Sequence, residues 1–343
     1  MSLHRVFNLS GLGVAALLVF PGGAWAATDD LSAAVKAVFD RSAPAVVKIQ
    51  AEDNNGPLSG TGFFIDPNGT IYTNYSVGGE SHDIVISYGT ARCPATRIAA
   101  DERSGLAILK IEAEKTPFLP LGKASSLGIA SLVMTIGYPL DLPVTPNVGC
   151  VGGYGISDGN RYFAVSHIRA NVPAQRGEGG APLLNMNGEV VGILESSAAG
   201  GAGCFALPIE AAEKVQGDVV RYGEARAGWL GIRFDKSDTT ANQIEVQGFV
   251  DDSPAQNSGI QPGDIIIQVG DRKISSLEDV LNAAFYLTAG EEVPLTISRS
   301  DPAMDTAEIK VVKVVPAPNP LAPRQEAMPM TGFTFSVRLG NAK

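Results

Sequence analysis

The sequence contains few cysteine, histidine and basic residues, and each shortage excludes a class of protein. Three cysteines and three histidines among 343 residues form no Cys-X-X-Cys pair and no cluster, so neither a zinc site nor a disulfide-built fold is expected. Lys and Arg number 26 against 36 Asp and Glu, for a net charge of −10. Because phosphate backbones attract basic surfaces, we expect no nucleic-acid partner. The glycines form no phosphate-binding motif, so no cofactor and no metal is expected.

Long hydrophobic runs are also missing, apart from one near the start. An apolar stretch from Leu9 to Phe20 follows Arg5 and is followed by Ala24-Trp25-Ala26. This pattern predicts a secretory signal peptide over residues 1–26, cleaved after Ala26. The alternative, a membrane anchor, is disfavoured because about 12 residues are too few for a hydrocarbon core that needs about 20. The sequence therefore predicts an exported protein, periplasmic or extracellular.

The odd number of cysteines permits at most one intramolecular disulfide. If one forms, we expect Cys150 to pair with Cys204, because both lie in the second half of the β-rich region.

What the sequence has in quantity is glycine and proline, 39 and 22 residues, which is typical of a turn-rich globular protein. Short β-branched runs between turn residues predict an antiparallel β sandwich or barrel. A later unit combines short strands with a helix that begins after the capping box Ser276–Asp279. The predicted organisation is a signal peptide (1–26), an N-terminal segment (27–45), the β-rich domain (46–207), a connector helix (208–226), the second domain (227–315) and a Pro-rich tail (316–343), with a strand-like segment at 332–337.

Several motifs identify the type of each domain. The strings GTGFFIDPNGTIYTNYSV, ADERSGLAILKI, GEGGAPLLNMNGEVVGI and CFALPI resemble, in order and spacing, the HtrA family of exported trypsin-like serine proteases. GWLGI and DDSPAQNSGIQPGDIIIQVG resemble the PDZ domain that follows in that family. The resemblance implies an all-β double barrel of the chymotrypsin/trypsin type, followed by an α+β PDZ domain.

The resemblance also locates the catalytic triad and finds it replaced. Family motifs TNNHV, SDLA and GNSGG read TNYSV, SGLA and GEGGA here, so the positions of His, Asp and Ser hold Ser76, Gly105 and Gly179. A glycine can neither attack a carbonyl nor orient an imidazole, and a serine hydroxyl is not a base near neutral pH. We therefore predict no catalytic residues and an inactive homologue of a serine endopeptidase.

Nearby groups could in principle replace the lost ones. The loop Gly177, Glu178, Gly179, Gly180 still offers the backbone amides of a vestigial oxyanion hole, although a merely flexible glycine loop is the simpler interpretation. His82 and His167 lie near the motifs in sequence, but both are more simply interpreted as ordinary polar residues.

The PDZ resemblance predicts a groove for peptides or protein C-termini. Its carboxylate-binding loop is Trp229, Leu230, Gly231 and Ile232, with Gly231 allowing a carboxylate to approach the backbone. Val280, Leu281 and Ala284 are candidates for the opposite wall, with core packing an equally good interpretation of their helical spacing.

These observations predict a pseudo-protease that binds peptides in a regulatory, chaperone-like or scaffolding role in envelope protein quality control. A purely structural scaffold and an active endopeptidase with relocated catalytic groups remain alternatives. The resemblance implies a homotrimer, and the short EDNNGPLSG segment favours a small regulatory assembly over a cage. A further predicted partner is an active HtrA relative.

Overall fold

A computed structural model describes residues 23–157, 162–198, 201–234, 243–301 and 306–320. Most of the predicted signal peptide and the strand-like segment at 332–337 lie outside these residues. No helix within the described ranges is long and apolar enough to cross a membrane.

The N-terminal segment is helical and docks on the β-rich domain. Helix α1 (Gly23–Ser42) leads through a short 3₁₀ turn into the first strand. Val38 is buried in the main core, and Val35 and Phe39 pack against it. The predicted cleavage point after Ala26 lies within this helix and stays a prediction.

The first half of the β-rich domain is a seven-stranded antiparallel sheet. Its members are β1 (Val46–Asp53), β2 (Gly56–Phe64), β3 (Thr70–Asn74), β4 (His82–Tyr88), β5 (Ala91–Pro94), β6 (Thr96–Asp101) and β7 (Leu106–Lys110), with the one-turn helix α2 (Tyr75–Gly78) after β3. The strands pair in the order β5-β4-β1-β2-β3-β7-β6. β3 and most of β7 are buried, which is why these strands read as nearly continuous apolar or β-branched runs.

The second half is a closed six-stranded barrel. Its strands are β8 (Leu132–Gly137), β9 (Thr145–Ser157), β10 (Tyr162–Ala170), β11 (Pro182–Asn185), β12 (Val190–Ser197) and β13 (Cys204–Pro208). They close in the order β10-β13-β12-β11-β8-β9. Two sequential β units around apolar cores give the architecture that the motifs predicted.

Helix α3 (Ile209–Tyr222) is more than the predicted connector. Its apolar face, including Val215 and Val219, lies in the same core as the barrel strands. Gly223 ends the helix in the left-handed conformation, with φ 78°, the usual role of glycine after a C-terminal turn.

The second domain combines a sheet with one helix. Its elements are β14 (Gly228–Trp229), β15 (Ile232–Phe234), β16 (Ile244–Phe249), β17 (Ile265–Val269), β18 (Arg272–Lys273), α4 (Leu277–Phe285), β19 (Val293–Asp301), β20 (Thr306–Val314) and β21 (Ala317–Pro318). Ser276 caps α4 by accepting a hydrogen bond from the Asp279 amide at 3.1 Å, as the capping box predicted. β21 belongs to the predicted tail, yet it pairs with β14, so the start of the tail is part of the domain.

The two domains meet at a buried carboxylate on α3. Asp218 Oδ2 accepts from Lys214 Nζ at 2.6 Å, and Asp218 Oδ1 accepts from Thr288 Oγ1 of the second domain at 3.0 Å. Asp218 is fully buried, and Lys214 is nearly so. The Ser166 amide also donates to Asn282 Oδ1 across the junction, at 3.0 Å.

The expected pairing of Cys150 with Cys204 is not present. All three cysteines are free thiols. Cys150 on β9 and Cys204 on β13 lie on opposite sides of β10, so two interstrand spacings of about 4.8 Å separate them. That is about 10 Å, beyond the roughly 7 Å between Cα atoms that a disulfide can span.

Candidate functional site

The structure brings the three predicted triad positions to one place. Asn74 Nδ2 donates to Ser76 Oγ at 2.8 Å, and a Cβ built on Gly179 would lie 2.9 Å from the same Asn74 nitrogen. The Tyr75 amide donates to the Gly105 carbonyl at 2.5 Å. Ser76, Gly105 and Gly179 therefore surround the end of β3 and the start of α2, although they come from three separate segments.

Ser76 and Gly179 line a cleft of about 400 Å³. Its described lining contains four serine hydroxyls, those of Ser59, Ser76, Ser196 and Ser197, and the carboxylate residue Glu195, but no histidine. The described cleft thus offers hydrogen-bonding groups without an imidazole to accept a proton from them.

At Gly105, another residue's carboxylate occupies the space next to the backbone. Gly105 has φ 80°, a conformation that residues with a Cβ adopt only with strain. A Cβ at this position would lie 2.5–2.7 Å from the three carboxylate atoms of Glu195 on β12. A side chain at position 105 would therefore strain the backbone and require the Glu195 carboxylate to move. Sequence reasoning missed this contact because it joins distant segments.

The predicted oxyanion loop is held by packing at two of its glycines. Gly177 (φ 94°) and Gly180 (φ 84°) adopt positive φ, and a Cβ on either would overlap a backbone oxygen, that of Tyr138 or Thr61. The Glu178 and Gly180 amides donate to the Gln175 and Leu194 carbonyls.

Two amides of this loop remain as donors for a ligand. Those of Gly177 and Gly179 donate to no acceptor in the described part of the chain. The loop therefore alternates between amides that bind within the protein and amides that do not. Its hydrogen bonds and close packing differ from the flexible glycine loop that was the simpler interpretation of the sequence.

The carboxyl group of Glu178 braces this loop. Glu178 is fully buried, and its oxygens accept from the Gln175 amide at 2.7 Å and from Asn147 Nδ2 at 2.8 Å. Burial raises the pKa of Glu178, although the two hydrogen bonds oppose the change. Burial likewise raises the pKa of the nearby Cys204 thiol to about 12, so this cysteine is not a thiolate nucleophile at neutral pH.

The two described histidines lie outside the cleft. His82 is exposed and contacts Asp83, with Nδ1 3.1 Å from Oδ2. His167 on β10 is buried, with Nδ1 2.9 Å from the Val165 carbonyl and its ring stacked on Phe163 at 3.9 Å between centroids. His167 lines a neighbouring cavity of about 430 Å³ together with Ser104 and Glu195.

The second domain contains an apolar groove of about 770 Å³. All seven residues predicted for the peptide site line it: Trp229, Leu230, Gly231, Ile232, Val280, Leu281 and Ala284. Among the described strands only β16 pairs with β15, which places β15 at the edge of its sheet, and such an edge can accept an added strand. Two residues of the β-rich domain, Arg103 and Ala164, also line the groove, and no sequence motif predicted them.

The geometry of the loop itself also requires a glycine at position 231. Its φ is 73°, and a Cβ there would overlap the Cβ of Ser253. The Val250 amide donates to the Gly231 carbonyl at 2.8 Å, which holds the loop against the domain.

Comparison with known proteins agrees with both domains. Residues 60–193 match the model of the trypsin-like peptidase domain, and residues 228–311 match that of the PDZ domain. Proteins named probable periplasmic serine endoprotease DegP-like are similar to this chain, at 31% identity in Hahella chejuensis and 32% in Pseudomonas fluorescens. The chain is an HtrA homologue. These alignments cover 73% and 70% of this chain but 56% and 53% of the relatives, so the chain spans about half the length of the curated relatives it matches.

Solved HtrA-type structures confirm the fold. The HtrA-type protease AlgW with a tripeptide superposes with a TM-score of 0.67 at 22% identity, over 83% of this chain and 98% of the other. A serine endoprotease from Yersinia pestis gives 0.59 at 24% identity, over 83% and 98%. The chymotrypsin-like domain followed by a PDZ domain, predicted from the HtrA motifs, is therefore confirmed.

Proposed function

We propose that this HtrA homologue is an exported, periplasmic pseudo-protease that binds peptides or protein C-termini through its PDZ groove. The observation that carries the proposal is the cleft at the triad positions, where Ser76 and Gly179 face each other across Asn74. Glu195 covers the third position, Gly105.

The chemistry of peptide hydrolysis supports inactivity. A trypsin-like protease needs a hydroxyl that attacks the carbonyl, an imidazole that removes its proton, and a carboxylate that orients the imidazole. Ser76 offers a hydroxyl at the position of the base, and Gly179 offers nothing at the position of the nucleophile. Loss of the nucleophile or the base alone costs about a million-fold in rate, because the triad acts as a unit.

Three features of the groove support peptide binding. Within the described residues β15 presents an unpaired edge, the walls are mainly apolar, and the loop from Trp229 to Ile232 is part of the lining. The structural neighbour AlgW carries a tripeptide, in agreement with a peptide ligand here. The proposed role is to hold or deliver peptides in envelope protein quality control, as a homotrimer or beside an active relative. The amides of Gly177 and Gly179 would in addition bind a carbonyl oxygen weakly.

The test uses the protein without residues 1–26. It should leave unfolded β-casein intact over hours and remain unlabelled by a fluorophosphonate probe, while it retains peptides from a C-terminally randomised library. Casein cleavage that disappears on mutating a residue of the protein's own barrel would contradict the proposal.

A reversion experiment tests the assignment of the positions. Ser76→His with Gly179→Ser supplies a base and a nucleophile and keeps Gly105, because a side chain there would strain the backbone and displace the Glu195 carboxylate. We expect detectable casein cleavage from this double variant, less from the triple variant that adds Gly105→Asp, and none from either single variant. A folded double variant that neither cleaves casein nor reacts with fluorophosphonate would contradict the assignment.

An active endopeptidase with relocated groups is the second candidate. The relatives are named serine endoproteases, and Ser104, His167 and Glu195 line one cavity next to the cleft. Against it, Ser104 Oγ already donates to the Asp101 carbonyl and accepts from the Leu106 amide. This candidate requires casein cleavage by the wild-type protein and its loss in Ser104→Ala and His167→Gln.

A further inference from the structure

The side chain of Arg103, a residue of the β-rich domain, extends to the PDZ groove. It belongs to the loop between β6 and β7, two residues before Gly105. Its guanidinium carbon lies 4.4 Å from the centroid of the Phe285 ring, the last residue of α4, and Arg103 forms part of the groove lining. A cation over an aromatic ring is an attractive contact, so the side chain is held at this place.

The end of α4 is tied to the start of the carboxylate-binding loop. The Gly228 amide donates to the carbonyl of Leu287, two residues after Phe285, at 2.8 Å. Arg103, Phe285 and the loop from Trp229 to Ile232 all line the same groove, so the Arg103 side chain and the loop border one cavity.

The charges around the groove favour an anion. Among its described lining residues the charged ones are Arg103 and Arg233, and none is acidic, although the whole chain carries −10. Arg233 is exposed on β15, whereas Arg103 is partly buried in surroundings that are mainly apolar. In such surroundings a carboxylate and a guanidinium attract each other more strongly than in water.

Arg103 also has a hydrogen-bond donor to spare. Its Nη2 is buried and has no acceptor in the described part of the chain. Burial lowers the pKa of Arg103, with the charges of Asp101 and Asp218 opposing this change. A buried donor without an acceptor is costly, and a guanidinium is suited to a carboxylate because its fork matches two oxygens.

We propose that Arg103, a residue of the β-rich domain, determines the specificity of the PDZ groove by binding the terminal carboxylate of the bound peptide. The inference rests on the proposed peptide-binding function, and it makes the complete groove a product of both domains. The loop amides of a PDZ domain supply hydrogen bonds to the carboxylate, and Arg103 adds a positive charge to them.

The test compares two hexapeptide libraries, randomised at the last three positions and ending in a free carboxylate or in a carboxamide. Immobilised protein without residues 1–26 is incubated with each library, and the retained peptide is quantified by mass spectrometry. The wild-type protein should prefer the carboxylate library, and Arg103→Gln should reduce the preference about tenfold, the usual worth of a charged hydrogen bond, with carboxamide retention unchanged. Arg103→Lys should recover part of the preference because it keeps the charge.

A matched control is Arg92→Gln, which removes the same charge from an exposed position on β5 and should keep the wild-type preference. Equal preferences in wild type and in a folded Arg103→Gln would overturn the role of Arg103 and leave peptide binding intact. Equal losses of both libraries in Arg103→Gln would also overturn it, because they indicate a role only in domain contact. Retention of neither library by the wild type would overturn the proposed function as well.

Discussion

The cleft of the β-rich domain and the groove of the PDZ domain differ in what their chemistry requires. Peptide cleavage depends on three side chains, and their positions hold Ser76, Gly105 and Gly179. Peptide docking depends on a sheet edge, loop amides and apolar walls, and the groove has all of them. Under the proposed function, three substitutions remove an activity that depends on side chains, whereas peptide binding, which depends mainly on the backbone, is kept as long as the fold is kept.

A substitution at the junction between the two domains should have the largest effect on stability. Asp218→Asn removes the carboxylate that faces Lys214 and Thr288. An uncompensated buried charge costs about 3–5 kcal/mol, so we expect the free energy of unfolding to fall by about that amount. The pKa of Lys214, already lowered by burial, should fall further. Urea denaturation at pH 7 measures the stability change.

The control is an exposed pair with the same i,i+4 spacing. Lys36 and Asp40 are both solvent-exposed on α1, and surface pairs contribute about 0.3–0.5 kcal/mol. Asp40→Asn should therefore change stability by no more than that. Equal effects of the two variants would show that the junction is not a buried ion pair.

Adding a single methyl group at Gly105, near the cleft, should have the next largest effect on stability. Gly105→Ala places a Cβ at positive φ and requires the Glu195 carboxylate to move, and we expect a loss of about 1–3 kcal/mol, mainly from backbone strain. Gly89→Ala, at φ 53° with open space around it, carries the strain alone and should lose about 1 kcal/mol. The double variant Gly105→Ala with Glu195→Ala should recover part of the stability lost in Gly105→Ala alone. If the two losses simply add, Glu195 does not contact position 105.

The corresponding change in the groove is Gly231→Ala. The added Cβ overlaps Ser253, so the loop must move, and we expect peptide retention to fall on the order of tenfold, the worth of about one or two loop hydrogen bonds. Gly259→Ala has positive φ in the same domain but nothing within 4 Å, and it should leave retention unchanged. Unchanged retention in a folded Gly231→Ala would mean that the loop takes no part in binding.

Acid should have opposite effects on two buried carboxyl groups, one in each region. Burial raises the pKa of Glu178 above 4.5, so its contribution to stability is present below that pH and is lost as the pH rises through the folded value. Burial alone would raise the pKa of Asp264 too, but its bonds to Arg299 and to the Gln261 amide lower it below 3.8. Its contribution is therefore present above 3.8 and is lost as the pH falls through the folded value.

The corresponding variants are Glu178→Gln and Asp264→Asn, compared with wild type by urea denaturation between pH 3 and 7. The free energy of unfolding of Glu178→Gln should rise relative to wild type as the pH rises above 4.5. The stability that Asp264→Asn loses relative to wild type should be smallest below pH 3.8. Parallel profiles for the two variants would contradict the assigned directions. This is the smallest of the expected effects, because each involves one proton.

Sequence reasoning predicted the strands and the capped helix from local periodicity, and the motifs named residues that the structure brings together at each candidate site. It did not find Glu195 above Gly105, Arg103 against Phe285, or the pairing of β21 with β14. Each of these contacts joins segments far apart along the chain, and neither partner carries a local pattern. The disulfide expectation was wrong for the same reason, since the strand order that separates Cys150 from Cys204 is a property of the barrel.

Under the proposed function, the contact between Glu195 and Gly105 also bears on how cleavage activity could evolve in this chain. An aspartate at position 105 requires the Glu195 carboxylate to move and a residue with a Cβ to adopt a left-handed conformation. That backbone strain brings no benefit until a histidine and a serine also stand at positions 76 and 179.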